Sequence, residues 1–207
     1  MKVKVIFLVD YEKINFFAGF FNLEQNKRQY EDSEKHLQCI KNLWNEKRAK
    51  INKLICHLFY GYPGVILIKV YVFPKYFRLG ASETAKKIVL YGQPPRSKLF
   101  PLAIILHEII HILIKKMNIT RPVILDEIIC MMAEDYILSL EDKTLNDIWR
   151  QSELDTFHKN AFKMATKLKD KLILNKDIGS LIKILEDDLP TRLVKSKPRK
   201  GLLDNLN

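Results

Sequence analysis

The chain has 207 residues, of which 47% are apolar and 29% charged, and its formal net charge is +11. That fits an ordinary globular protein of one domain, or one domain with an appendage. Seven glycines and eight prolines argue against a loop-rich all-β fold, and three scattered cysteines (Cys39, Cys56, Cys130) exclude a disulfide framework.

The first element is a strand over 2-KVKVIFLV-9. Its apolar run from Val5 to Val9 stops at Asp10, short of the roughly seven to fifteen apolar residues of a secretory leader. With so few cysteines, the cytoplasm is the expected compartment. From Glu31 to Phe59, Leu37, Ile40, Trp44, Ile51, Ile55 and Leu58 recur at helical spacing, which predicts a long amphipathic helix. The segment 60-YGYPG-64 breaks it. Strands follow at 65-VILIKVYVF-73 and about 87-KIVLY-91, with Pro74 and Gly80 between them and 92-GQPPRSK-98 after the second.

Beyond Lys98 the pattern is helical. Ser97 can cap a helix with Pro101 in its first turn, running to about Met117 and stopping at Asn118. Thr120 and Pro122 open the next helix, to about Leu140. Three more are predicted over 144-TLNDIW-149, 153-ELDTFHKNAFKMATKLKDKLI-173 and 177-DIGSLIKILEDD-188. The expected organisation is a catalytic domain over 1–142, a helical extension packed on it over 143–190, and a basic flexible tail over 191–207.

The positive charge lies in 46-EKRAKINK-53, 115-KK-116, 163-KMATKLKDK-171 and 195-KSKPRK-200. Lysines spread in this way read first as a solvated surface, and a nucleic-acid partner is the second reading.

The decisive stretch is 99-LFPLAIILHEIIHILIKK-116, which contains His107-Glu108-Ile109-Ile110-His111, an H-E-x-x-H motif. Residues four apart on a helix share a face, with Cβ atoms about 5–6 Å apart. Two imidazoles so placed can meet one zinc at about 2.0–2.1 Å each. Glu108 sits about 100° around the helix, outside the ligand set but able to take a proton from an activated water. From Leu99 to Ile114 these three are the only polar side chains. Burying them without partners would cost several kcal/mol, roughly, and a metal answers all three together. The plain alternative is two core histidines bonded to carbonyls beside a salt-bridged glutamate. A membrane span is rejected, because it needs about 20 mostly apolar residues and this run is shorter and flanked by Arg96, Lys98, Lys115 and Lys116.

A catalytic zinc takes three protein ligands and keeps one position open. Hairpin geometry points to Glu127 as the third. His111 and Glu127 lie at nearly equal distances, roughly 10–12 Å, from the turn 118-NITR-121. Axes about 8–10 Å apart leave room for a metal between them. Asp126 is an alternative ligand, with a helix-dipole role as its plainer reading. Cys130 shares the face of Glu127 and reads as a core thiol.

With Glu127 in place, 107-HEIIH-111 and 125-LDEIICMMAEDYIL-138 resemble the gluzincins, the zincin metallopeptidases with a glutamate ligand, over about residues 65–140. The short spacing is closer to the minimal gluzincins, or to the ImmA/IrrE-like metalloproteases, than to thermolysin. The resemblance implies a zincin-like α+β fold: a small mixed sheet with a backing helix, an active-site helix and a glutamate helix, followed here by the C-terminal helical extension. It implies one zinc per chain, a peptide or protein substrate, and Glu108 as general base. An extended substrate would lie along an edge strand, for which 87-KIVLY-91 is the candidate. Where thermolysin-like enzymes hold an aspartate bonded to the first histidine, this chain has Met131. Glu134, seven residues after Glu127 on the same face, is a candidate replacement, with a surface or helix-pairing role as the equal alternative. The oxyanion stabiliser stays open between His158 and Arg121. The competing function is a non-catalytic zincin-like domain that binds nucleic acid or a protein partner.

Overall fold

The computed structural model describes residues 2–9, 11–12, 15, 27–60, 64–72, 81–84, 87–90, 99–116, 122–141, 156–168 and 177–188. The predicted helix at 144–149, the turn at 118–121, the Ser97 cap, Arg121 and the basic tail lie outside these residues.

The fold is α+β. Its sheet comprises β1 (Lys2–Leu8), β2 (Val65–Val72), β3 (Ala81–Thr84) and β4 (Lys87–Leu90) in the order β1-β2-β4-β3. β1 and β4 both pair with β2 in parallel, and β3 pairs antiparallel with β4. The sheet is therefore mixed. Alternation sets which residues face inward: Ile66, Ile68, Val70 and Val72 are buried, while Val65 and Leu67 on the other face are 58% and 45% exposed. Gly64, at φ +109°, opens β2 in a conformation that side-chain-bearing residues rarely adopt.

Helix α1 (Lys27–Leu58) begins four residues before the apolar period suggested and crosses over to connect the parallel strands β1 and β2. Its stripe of Ile40, Trp44, Ile51, Leu54, Ile55 and Leu58 is buried. It lies over β1 and β2, beside α2 (Phe100–Lys116), which lies against β3 and β4. α3 (Val123–Leu138) packs on α2, and α4 (Thr156–Leu168) packs on α3 through Ala161, Phe162, Ala165 and Leu168. α5 (Ile178–Asp188) also touches α3, and its first turn is capped by Asp177, whose Oδ1 accepts from Ser180 N at 2.8 Å. No helix among the described residues is long and apolar enough to cross a membrane.

One expectation is corrected. The sequence pattern makes 87-KIVLY-91 the candidate substrate edge, but β4 is interior, with β2 on one side and β3 on the other. Its continuous apolar centre, Ile88-Val89-Leu90, is what a strand flanked on both sides carries. The edge beside α2 is β3 instead.

Candidate metal centre

α2 is apolar on nearly every face, and every residue from Phe100 to Ile114 is buried except Pro101 and the three polar ones. His107, Glu108 and His111 are half-buried interruptions in that surface. α3, equally apolar, lies across the same face and brings up two buried acids, Glu127 and Glu134.

The two helices bring His107, His111 and Glu127 to one point. His107 Nε2 and His111 Nε2 are 3.0 Å apart. His107 Nε2 lies 3.4 Å from Glu127 Oε2, and His111 Nε2 lies 3.3 Å from Glu127 Oε1. A tetrahedral ion with bonds of about 2.0–2.1 Å sets its donors about 3.3 Å apart, close to these three separations, of which the two to Glu127 end on different carboxylate oxygens. Glu127 Oε2 is buried without a hydrogen-bond partner. It makes ion-pair contacts to His107 and His158 without a hydrogen bond, and a cation between the carboxylate and the imidazoles could take its lone pair. Two imidazoles and a carboxylate at these separations are donors that a zinc ion can accept.

Glu134 stands behind His107, its Oε1 2.7 Å from Nδ1. This is the place of a carboxylate that orients a ligating imidazole and fixes its tautomer. Sequence spacing had offered Glu134 for this position without distinguishing it from a helix-pairing role. Met131, at the spacing where thermolysin-like enzymes carry their aspartate, is a buried core residue.

Cys130 is the neighbour that sequence reasoning undervalued. Its Sγ and ring nitrogens of His107 and His111 all lie within 4.8 Å of one another, an alternative metal-holding group. The thiol donates to the His107 carbonyl at 3.5 Å. Burial, helped by the negative charges of Glu127 and Asp126, pushes this thiol well above its ordinary pKa. Asp126 itself sits half-buried in the first turn of α3, the position that suits the helix dipole.

His158 enters from α4, with Nε2 3.8 Å from Glu127 Oε2 and its side chain 42% exposed. It was one of two residues left open by the sequence, and it borders the centre on its solvent side. The remaining histidines stand on α1, His36 buried and His57 half-buried.

The charges are strongly coupled. Desolvation alone would lower the His107 imidazole, but Glu134 and Glu127 beside it overcome this and hold it well above its ordinary value. Burial works to raise Glu127, and the two imidazoles pull it well below the usual carboxylate range. Glu108 is raised, chiefly by burial, against the opposing pull of His107 and His111.

Compared with protein-family profiles, with curated proteins and with solved structures, the chain matches none.

Proposed function

We propose that this protein is a zinc-dependent peptidase of the gluzincin type, with a zincin-like fold, and that it hydrolyses peptide bonds. The observation that carries the reading is the approach of His107 and His111 Nε2, 3.0 Å apart, to the two oxygens of the buried Glu127 carboxylate, at 3.4 Å to Oε2 and 3.3 Å to Oε1. His107 and His111 would hold the ion through Nε2 and Glu127 through its carboxylate, while Glu134 keeps the His107 ring in place from Nδ1. A zinc ion held there supplies Lewis acidity and brings the pKa of water down toward about 7.

The chain's own residues do the rest. Glu108 follows His107 on α2 and stands outside the ligand set. Burial raises its pKa and so makes its carboxylate a stronger base than a solvated one, as befits a group that takes a proton from the attacking water and returns it to the departing amine. The outer edge of β3, beside α2, offers backbone groups along which an extended peptide can lie antiparallel. The apolar shell of α2 and α3 restricts bulk water around the reacting groups.

A second reading is specific enough to be tested beside it. His107, His111 and Cys130 could hold the metal instead of the set with Glu127. Elemental analysis of purified protein, paired with digestion of casein, separates the two. The peptidase reading expects about one zinc per chain, lost in His107→Ala and Glu127→Ala but kept in Cys130→Ala and in Glu108→Gln. Glu108→Gln should lose nearly all hydrolysis. Zinc kept by Glu127→Ala and lost by Cys130→Ala would move the site to the thiol, and wild-type cleavage by Glu108→Gln would end the general-base role.

A further inference from the structure

The opposite edge of the sheet is built differently. β1 lies three strand positions from β3, about 14 Å at the usual strand spacing, and among the described residues it has a strand neighbour on one side only. A groove of about 750 Å³ follows its open side, walled by α1. Lys2 N donates to Gly64 O on the β2 side at 3.1 Å. Val3 N points the other way, to Asn52 Oδ1 on α1 at 3.3 Å. Alternation then turns the amides of Val5 and Phe7 outward into the groove, and among the described residues none answers them.

The charge of the groove has one sign. Lys2 and Lys4 from β1 and Lys41 and Arg48 from α1 line it, with no acidic residue among the lining. Ile6 and Leu67, 41% and 45% exposed, give its outer lip an apolar strip. The aromatic residues are spent inside: Phe7 meets Trp44 edge to face at 6.1 Å, and Trp44 is 5% exposed. Bases of a single-stranded nucleic acid bind by stacking on open rings, which this groove does not present. An open strand edge instead offers directional main-chain hydrogen bonds that an extended peptide can satisfy.

We infer that the groove between β1 and α1 binds an acidic, extended peptide segment of a partner protein, which adds to the sheet as a strand beside β1. Val5 and Phe7 supply the main-chain contacts. The four cations select carboxylate side chains, and the strip of Ile6 and Leu67 takes an apolar one. This surface lies apart from the candidate metal centre and does not depend on it.

The test uses the full chain and a fluorescein-labelled peptide of alternating Glu and Val, followed by anisotropy at low salt. Binding is expected, weakened at least about tenfold by Lys41→Glu with Arg48→Glu, since each opposed pair is lost and replaced by repulsion. The melting temperature of this double variant should match wild type, because both side chains are exposed. N-methylation of one alternate set of peptide amides should abolish binding, while methylation of the other set leaves it intact. The amides of Val5 and Phe7 should slow in hydrogen exchange when peptide is present. Equal binding of both methylated peptides, tighter binding of a labelled oligothymidylate, or no peptide binding would each overturn the proposal.

Discussion

α2–α3 and α4–α5 show two ways of spending polar residues. In α2 and α3 the apolar surface runs almost all round, so each His or Glu there must be answered by another group. In α4 the polar residues Lys163 and Lys167 sit on an exposed face, opposite Ala161, Phe162, Ala165 and Leu168. There they cost little and carry no implication. A polar side chain thus means different things on the two pairs, and burial of the surrounding surface decides which.

The contrast breaks first at the core. Ile110→Ala, fully buried in α2, should lower stability by about 2–5 kcal/mol in urea unfolding, because it loses apolar burial and leaves a cavity. Lys163→Ala on the exposed face of α4 should stay within about 0.5 kcal/mol of wild type. Equal effects would mean that α2 is not the centre of the core.

The next effect concerns the acid behind His107. Glu134→Gln should keep the fold, as judged by far-UV circular dichroism, yet weaken zinc binding by about 10–100-fold in a chelator competition, since the imidazole loses its charged partner. Asp135, one residue further along α3 and half-buried, is the control. Asp135→Asn should leave the affinity unchanged. A Glu134 variant that binds zinc like wild type would reduce Glu134 to a packing residue.

The smallest effect lies at the surface. Asp177→Ala removes the cap of α5 and should cost about 1 kcal/mol, a fall in melting temperature of about 2–4 °C. The Ser180 amide holds the Asp177 carboxyl below its ordinary pKa. A depressed folded-state value stabilises above the unfolded value and ceases to do so as pH falls through the folded one. The gap between wild type and Asp177→Ala should therefore narrow in acid, and melting curves across the carboxylate range check it.

Much of this was readable in the chain, for local reasons. The convergence of His107 and His111 follows from helical spacing, and that of Glu127 from near-equal distances to a short turn. These are properties of one helix and one hairpin. β3 was not readable, because 81-ASET-84 has no apolar alternation and becomes a strand only through the ladder that β4 offers. The edge was misplaced for that reason. Glu134 could be put on the correct face, but its choice of His107 needed the packing of α3 on α2. The nearness of His158 depends on α4 docking against α3, which spacing alone does not encode.

The long crossover through α1 also has a consequence in time. β3 and β4 are joined across a two-residue gap, whereas β1 and β2 are separated by all of α1 and its flanks. Closing so long a loop costs conformational entropy before any strand contact returns it, so β1 should join the sheet late in folding. Val3→Ala should then speed unfolding and leave the refolding rate nearly unchanged, with Ile110→Ala slowing refolding as a positive control. Until β1 arrives, β2 is itself an open edge, and the hazard of wrong pairing falls on 65-VILIKVYV-72, an apolar stretch with one charge.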